Sequence, residues 1–484
     1  MEPAVWVSGF PVEYVSTEMF GSCHQISIPC STELVECTAA THSDPTETAG
    51  QAFEVDSHNV EVIHNPIQVF EEAAEKVKVD AKLMKKKIHK YPGSMREIDK
   101  RYRNPSIVAI GPHHDHSQDH LWHAEKMKHA AACYCIKESG HSVQEIYDAV
   151  VIVADEARRL YDPEVVGTVV DDDFLPMMFY DSCFLVQYML FVANYYDSDS
   201  EMDESLVSYF ESNHNDIYHD IMLLDNQLPW LVVETVMRFR DVPLRKFIAN
   251  CRNCLQNITV KDDDIVIDDS FETPHLLGLL RFYIVGRSSK KLPTDAPESF
   301  SLSLSPSDLA EVGISLKAKA KIDLTGMCIE KKGPFFADLC ISPLQLDARP
   351  SWLINMAALE ICMSSDFLQE EGEDSAVCSY LNLLTMLVQR EGDVQDLRKK
   401  HLLQGGGGFT DTDALKFFSC IRSLRRRSCY ISTMIEIQDY MDKRGMRTKV
   451  HAFVYKNIKI ITTFFSAIIA LFGILGTLKS LKVP

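Results

Sequence analysis

The chain has 484 residues, 46% hydrophobic and 24% charged, with a formal net charge of −20 at pH 7. This is ordinary globular composition, enough for a sizeable core in two or three domains or in one large helical body. The acidity excludes a general nucleic-acid binder, because neutralising phosphates needs a basic surface.

Residues 1–65 are rich in Ser, Thr, Glu and Pro without a sustained period, and a poorly ordered arm is expected there. An early glutamate, with no basic stretch and no apolar run, gives no secretory signal. Cys23, Cys30 and Cys37 recur every seven residues but lack a fourth ligand beyond His24, so no metal site is assigned to them. The fourteen cysteines are not needed as staples in a chain this long, and reduced thiols fit a cytosolic body.

A helical body is expected over 66–450. Phe70, Ala73, Val77, Ala81, Met84 and Ile88 follow helical spacing up to the breaker at Tyr91, Pro92 and Gly93. A short apolar run bounded by Pro105 and Pro112 then leads into six histidines within seventeen residues: His113, His114, His116, His120, His123 and His129. If this part is helical, His116, His120 and His123 stand at i, i+4 and i+7 on one face and could meet a zinc ion. With Asp119 the string also nearly matches the His-x-His-x-Asp-His signature of metallo-β-lactamase-like hydrolases. It is one residue too long, and the strands that should precede the motif are missing. Surface or capping histidines are the plain alternative.

Ile146, Val150, Val153, Ala157 and Leu160 mark an amphipathic helix. Residues 174–194 are apolar nearly all round and belong in the core, with Cys183 a buried, inert thiol. Asp225, Asn226 and Gln227 interrupt two apolar stretches and are expected to satisfy backbone groups where the helix breaks. The acidic runs at 171–173, 262–269 and 370–374 read as solvated loops, and none has the spacing of a calcium loop. A linker is expected at 287–307. From Ile314 to Leu324 the period becomes two, so a small β-insert of two or three strands is placed at 312–347. Helices return at 352–363 and 380–388, and the glycine run at 405–408 reads as a hinge.

The chain closes on nineteen uncharged residues, 460–478, eleven of them Ile, Leu or Phe. At helical rise they span roughly 28 Å, about the hydrocarbon thickness of a bilayer. A transmembrane helix of the tail-anchored kind is expected, with membrane lipid as its partner. Ser466, Ala470 and Gly473 lie on one side of it, spaced as in small-residue packing interfaces, which suggests self-association. Lys443, Arg444, Arg447, Lys449, Lys456 and Lys459 precede the span and only Lys479 and Lys482 follow it, so the body is expected in the cytosol. Charge does not choose between plasma membrane and endoplasmic reticulum.

Several stretches together resemble the plant family known as domain of unknown function 247. They are Ser106-Ile-Val-Ala-Ile-Gly-Pro-His113-His114, Met177-Met-Phe-Tyr-Asp-Ser-Cys-Phe184, Leu223-Leu-Asp-Asn-Gln-Leu-Pro229, Asp308-Leu-Ala-Glu-Val-Gly-Ile314 and Asn355-Met-Ala-Ala-Leu-Glu360. The resemblance covers about residues 66–478. His113 stands where the family usually has an aromatic, so the histidine enrichment belongs to this chain. The resemblance implies a mostly helical, membrane-anchored plant protein without an established reaction, some grass members being linked to pollen self-incompatibility. The expectation is therefore a mainly α body with a small β-insert and one transmembrane helix. It is read as a non-enzymatic, cofactor-free interaction or recognition protein with an unknown protein partner. The alternative is a metal-dependent enzyme using the histidines from His113 to His123.

Overall fold

The computed structural model describes Ile67, residues 70–72 and Glu75, then most of the chain from residue 85 to 480. Residues 1–66, 195–201, 287–303, 364–374 and 481–484 lie outside the description, with a few shorter gaps. The chain divides into two units, Met1–His64 and Asn65–Pro484. The expected N-terminal arm falls outside the described residues, as does most of the helix expected to end near Tyr91. So does Asn257, the acceptor of the glycosylation sequon Asn257-Ile-Thr259, which would carry a glycan only if the body were luminal. Residues 85–92 themselves are turn and extended chain, with Ile88 buried and its amide donating to Leu160 O.

The first helical layer is made by α1 (Trp122–Ser139), α2 (Val143–Arg159), the short α3 (Pro163–Val166) and α4 (Asp171–Asn194). Helix α2 starts at a reciprocal capping box, Ser142 with Glu145, and buries Ile146, Val150, Ala154 and Ala157. Helix α4 opens with Asp171, Asp172 and Asp173, whose charges complement the positive end of the helix dipole. From Phe174 onward it is nearly all buried, and α1, α2, α7 (Trp230–Met237) and α8 (Leu244–Gln256) pack around it. Each fully buried side chain such as Phe184 contributes about 1.5–3 kcal/mol. Between α4 and α7 lie α5 (Glu204–Ser212) and α6 (His214–Asp220).

After α9 (Leu276–Val285) and α10 (Pro306–Glu311) the chain enters a three-stranded sheet in the order β1-β3-β2. Strand β1 (Ile314–Ala318) runs parallel to β3 (Phe336–Ile341), while β2 (Cys328–Lys332) pairs antiparallel with β3 at the edge. The two-residue period was legible as far as Leu324, yet the strand ends at Ala318, and Leu324–Gly326 is a 3-10 turn. Strand β4 (Leu344–Gln345) pairs in parallel with β5 (Leu403–Gln404), a pairing that local periodicity does not announce. Helices α11 (Pro350–Met363), α12 (Ala376–Leu387), α13 (Glu391–Lys399), α14 (Asp411–Cys420) and α15 (Ser428–Asp442) complete the body. Buried apolar side chains from the helices and the sheet form one continuous cluster.

Helix α16 (Gly445–Ser480) closes the described chain. Its segment Phe453–Ile474 contains an 18-residue window of mean hydropathy 1.8, none of it buried. Among the described residues the other helix long and apolar enough to cross a bilayer is α4, which is 78% buried over its most apolar window. The expected division between core helix and membrane span therefore holds, with the uncharged residues 460–478 following Lys456 and Lys459 on the same helix.

Candidate functional site

The histidine-rich segment is organised by the extended run before it. Residues 106–111 belong to no helix or strand of the described structure, so their amides need partners elsewhere. Asp220, fully buried at the end of α6, accepts the Ser106, Ile107 and Val108 amides at 2.7, 2.8 and 2.8 Å. Asn226 accepts Ile110 N–H at 2.7 Å and donates to Val108 O at 3.0 Å, so its side chain behaves like one more rung of a strand ladder. Gln227 donates to the Ile221 and Leu223 carbonyls left open after α6 and accepts from Leu277 N–H in the first turn of α9. Gly111 has φ +69°, and a Cβ there would meet Gln227 O and the Tyr161 hydroxyl at 2.8 Å, so only glycine fits.

An ionic knot fixes the far end of this run. Lys128, fully buried on α1, lies 2.6 Å from Asp181 of α4 and donates to Ala109 O and to Glu125, each at 2.6 Å. Asp181 also accepts Gly111 N–H at 2.8 Å. His116 joins the knot with both ring nitrogens, Nδ1 to Glu125 at 3.0 Å and Nε2 to Gly111 O at 2.9 Å. Burial pulls its pKa down, but the Glu125 hydrogen bond and the Asp181 charge outweigh that and raise it. With the Lys128 ammonium also 3.3 Å from Nδ1, the ring is held from both sides in a structural network.

The other histidines disperse. Helix α1 begins only at Trp122, so His116 and His120 precede it and the one-face spacing with His123 is not realised. His120 is exposed, and the exposed His123 ring lies 5.6 Å from Tyr209. His114 reaches Asp225 at 3.2 Å. His113 packs on Tyr161, with both ring nitrogens buried and unbonded, and burial pushes its pKa down to about 4. Cys183 is fully buried beside Cys135, whose hydrogen bond, with burial, raises its pKa well above the usual thiol value.

Three ligand-type atoms converge elsewhere. On the polar face of the sheet, Cys328 and Cys340 are direct cross-strand partners, and Glu330 lies two residues beyond Cys328 on the same face. Their ligand atoms all lie within 4.8 Å of one another. Cys340 is fully buried, while Cys328 and Glu330 are partly exposed. Burial and the Glu330 carboxylate push the Cys340 thiol up to about 11. Lys319 pairs with Glu330, and Lys332 lies 2.6 Å from Asp338 on the same face. Two thiols and a carboxylate can coordinate a metal ion. This corrects the expectation of a chain with no enzymatic chemistry: the donor set gives it catalytic potential. Periodicity places Cys328 and Glu330 together, but nothing in the sequence sets the register that brings Cys340 opposite.

No solved structure matches this chain. A UPF0481 protein of Arabidopsis thaliana is 26% identical over 152 residues, which is 31% of this chain and 30% of the relative. The chain thus matches under a third of that relative's length. The family described as plant protein of unknown function, DUF247, matches over residues 88–472, from the buried Ile88 through the sheet into the apolar C-terminal helix. With that much of its length covered, the chain belongs to the DUF247 family of plant proteins.

Proposed function

We propose that this protein is a membrane-tethered interaction protein, whose helical body presents its surface to a protein partner on the cytosolic side of a bilayer. The observation that carries the reading is the contrast within one chain: α4 is buried, whereas the Phe453–Ile474 window keeps its apolar side chains uncovered. In water such a surface is costly, and a bilayer supplies the cover. The body stays close to that bilayer, because Lys456 on α16 is 3.1 Å from Glu311 at the end of α10. The excess of basic residues before the span supports a cytosolic body. Self-association through Ser466, Ala470 and Gly473 belongs to the same reading, and Gly473→Leu should weaken it in a membrane reporter assay.

Cell recognition of the kind linked to pollen self-incompatibility in some grass relatives is the specific form suggested by family resemblance. At a cell exterior it would require the reverse orientation. Protease treatment of sealed microsomes carrying the full chain tests the orientation. The expected result is a carbonate-resistant protein whose body is digested from outside and whose Asn257 carries no glycan. A protected body with a glycan on Asn257 would overturn the cytosolic placement. Crosslinking in the source tissue tests the interaction itself, and failure of the intact protein to crosslink to any protein would overturn that part.

A further inference from the structure

We propose that the polar face of the β1-β3-β2 sheet is a site for a thiophilic divalent cation of the zinc type, held by the Cys328 and Cys340 thiolates and the Glu330 carboxylate, with a fourth position open to water. This goes beyond the tethering role and rests on different residues.

The register makes the site. Cys328 and Cys340 face each other across the β2–β3 ladder, and Glu330 follows on the same side. Zinc–sulfur bonds of about 2.3 Å in a tetrahedron put two sulfurs about 3.8 Å apart. The largest separation among the three ligand atoms is within 4.8 Å, so closing on an ion asks for small side-chain rotations rather than backbone movement. The backbone is held from both sides: β3 is the central strand, and Glu436 of α15 accepts the Ile329 amide of the edge strand at 3.2 Å. Two sulfurs favour a soft or borderline ion over magnesium or calcium, which prefer an all-oxygen shell.

The charge environment has a part in it. Lys319 occupies Glu330 and Lys332 occupies Asp338. Binding the ion releases both thiol protons to solvent and breaks the Lys319–Glu330 pair, freeing the carboxylate as third ligand. Cys340 is buried while Cys328 and Glu330 are partly exposed, so the remaining position faces water. Three protein ligands with one open position is the arrangement of a catalytic zinc site; structural zinc is closed by four.

The test uses the full-length, reduced protein in detergent micelles, titrated with Co2+ as a spectroscopic substitute for zinc. The expected result is one equivalent of cobalt with thiolate-to-metal charge-transfer absorption, displaced by Zn2+. Cys328→Ser and Cys340→Ser should each abolish that absorption while helical circular dichroism stays unchanged. Glu330→Gln should weaken binding by at least the roughly 10- to 100-fold that loss of a supporting residue costs. Lys319→Met, which removes the competing ammonium, should tighten it. No charge-transfer absorption in the reduced parent would overturn the proposal. So would absorption that survives the Cys328→Ser/Cys340→Ser double variant, since the metal would then sit on other thiols such as Cys135 and Cys183. A Cys328–Cys340 disulfide in protein alkylated directly in its tissue would overturn it as well.

Discussion

Replacing Glu360 by Gln changes one atom's chemistry at the centre of the second half of the body. Glu360, fully buried on α11, accepts the Arg281 guanidinium at 2.7 and 3.1 Å, and Arg281 on α9 is itself 7% exposed. The same carboxylate accepts the Val377 and Cys378 amides at 2.9 and 2.8 Å. Those amides open α12, whose N-cap residue Ser375 makes no side-chain cap, so a carboxylate from a neighbouring helix performs the capping. Burial pushes the Glu360 carboxyl up, and Arg281 and the two amides oppose that shift. Removing one member of a buried ion pair costs about 3–5 kcal/mol, because the other charge loses its counter-ion. For a body of this size, at roughly 2 cal/mol/K per residue, each kcal/mol lowers the melting temperature by about 1 °C.

Glu360→Gln and Arg281→Met should therefore each melt about 3–6 °C lower, followed by helical circular dichroism in detergent micelles. The double variant removes both charges, and the carboxamide introduced on α11 can still accept one helix amide. It should fall short of the summed losses by a coupling of about 1–3 kcal/mol. Full additivity would refute the account, as would a Glu360→Gln protein melting within about 1 °C of the parent.

Asp220→Ala removes the acceptor of three amides, of which the buried Val108 N–H is stranded at about 1–3 kcal/mol, and should sharply raise hydrogen exchange at residues 106–108. Unchanged protection there would show that Asp220 does not hold the run. His275 caps α9 by accepting Gly278 N–H, and burial lowers its pKa to about 3. The unfolded chain takes up that proton near pH 6.5, so the neutral ring's contribution is full above 6.5. It is lost as pH falls, by about 1.4 kcal/mol per unit down to pH 3. His275→Asn keeps an acceptor without titrating, and its acid slope should be shallower than the parent's; parallel slopes would refute the assignment. Phe464→Asp with Phe465→Asp places two charges mid-span at about 2.5–3.5 kcal/mol each, and should make the protein extractable by carbonate. Retention in the membrane pellet would remove the window as the anchor.

Two apolar stretches of similar length show what composition determines. Residues 174–194 read as core because they are apolar nearly all round, and 460–478 as membrane span because nineteen residues carry no charge; burial separates them in the same way. Residues that act through their own helix were equally legible: the capping box at Ser142 and Glu145 and the stripe from Ile146 to Ala157 need only local spacing. The histidines mark the limit of that reasoning. Their density was plain, but α1 starts too late to align them, and His116 ends in a knot with Glu125 and Lys128 of α1, which Asp181 joins from α4 through Lys128.

The cysteine–glutamate cluster lies beyond that limit for the same reason. Period two puts Cys328 and Glu330 on one face, but a register shift by one residue would turn Cys340 to the other. Sequence by itself determined where apolar surface must be covered, by core or by lipid, because burial follows composition and local period. Only the tertiary structure decided which polar groups meet, because that depends on strand register and on helices distant in the chain.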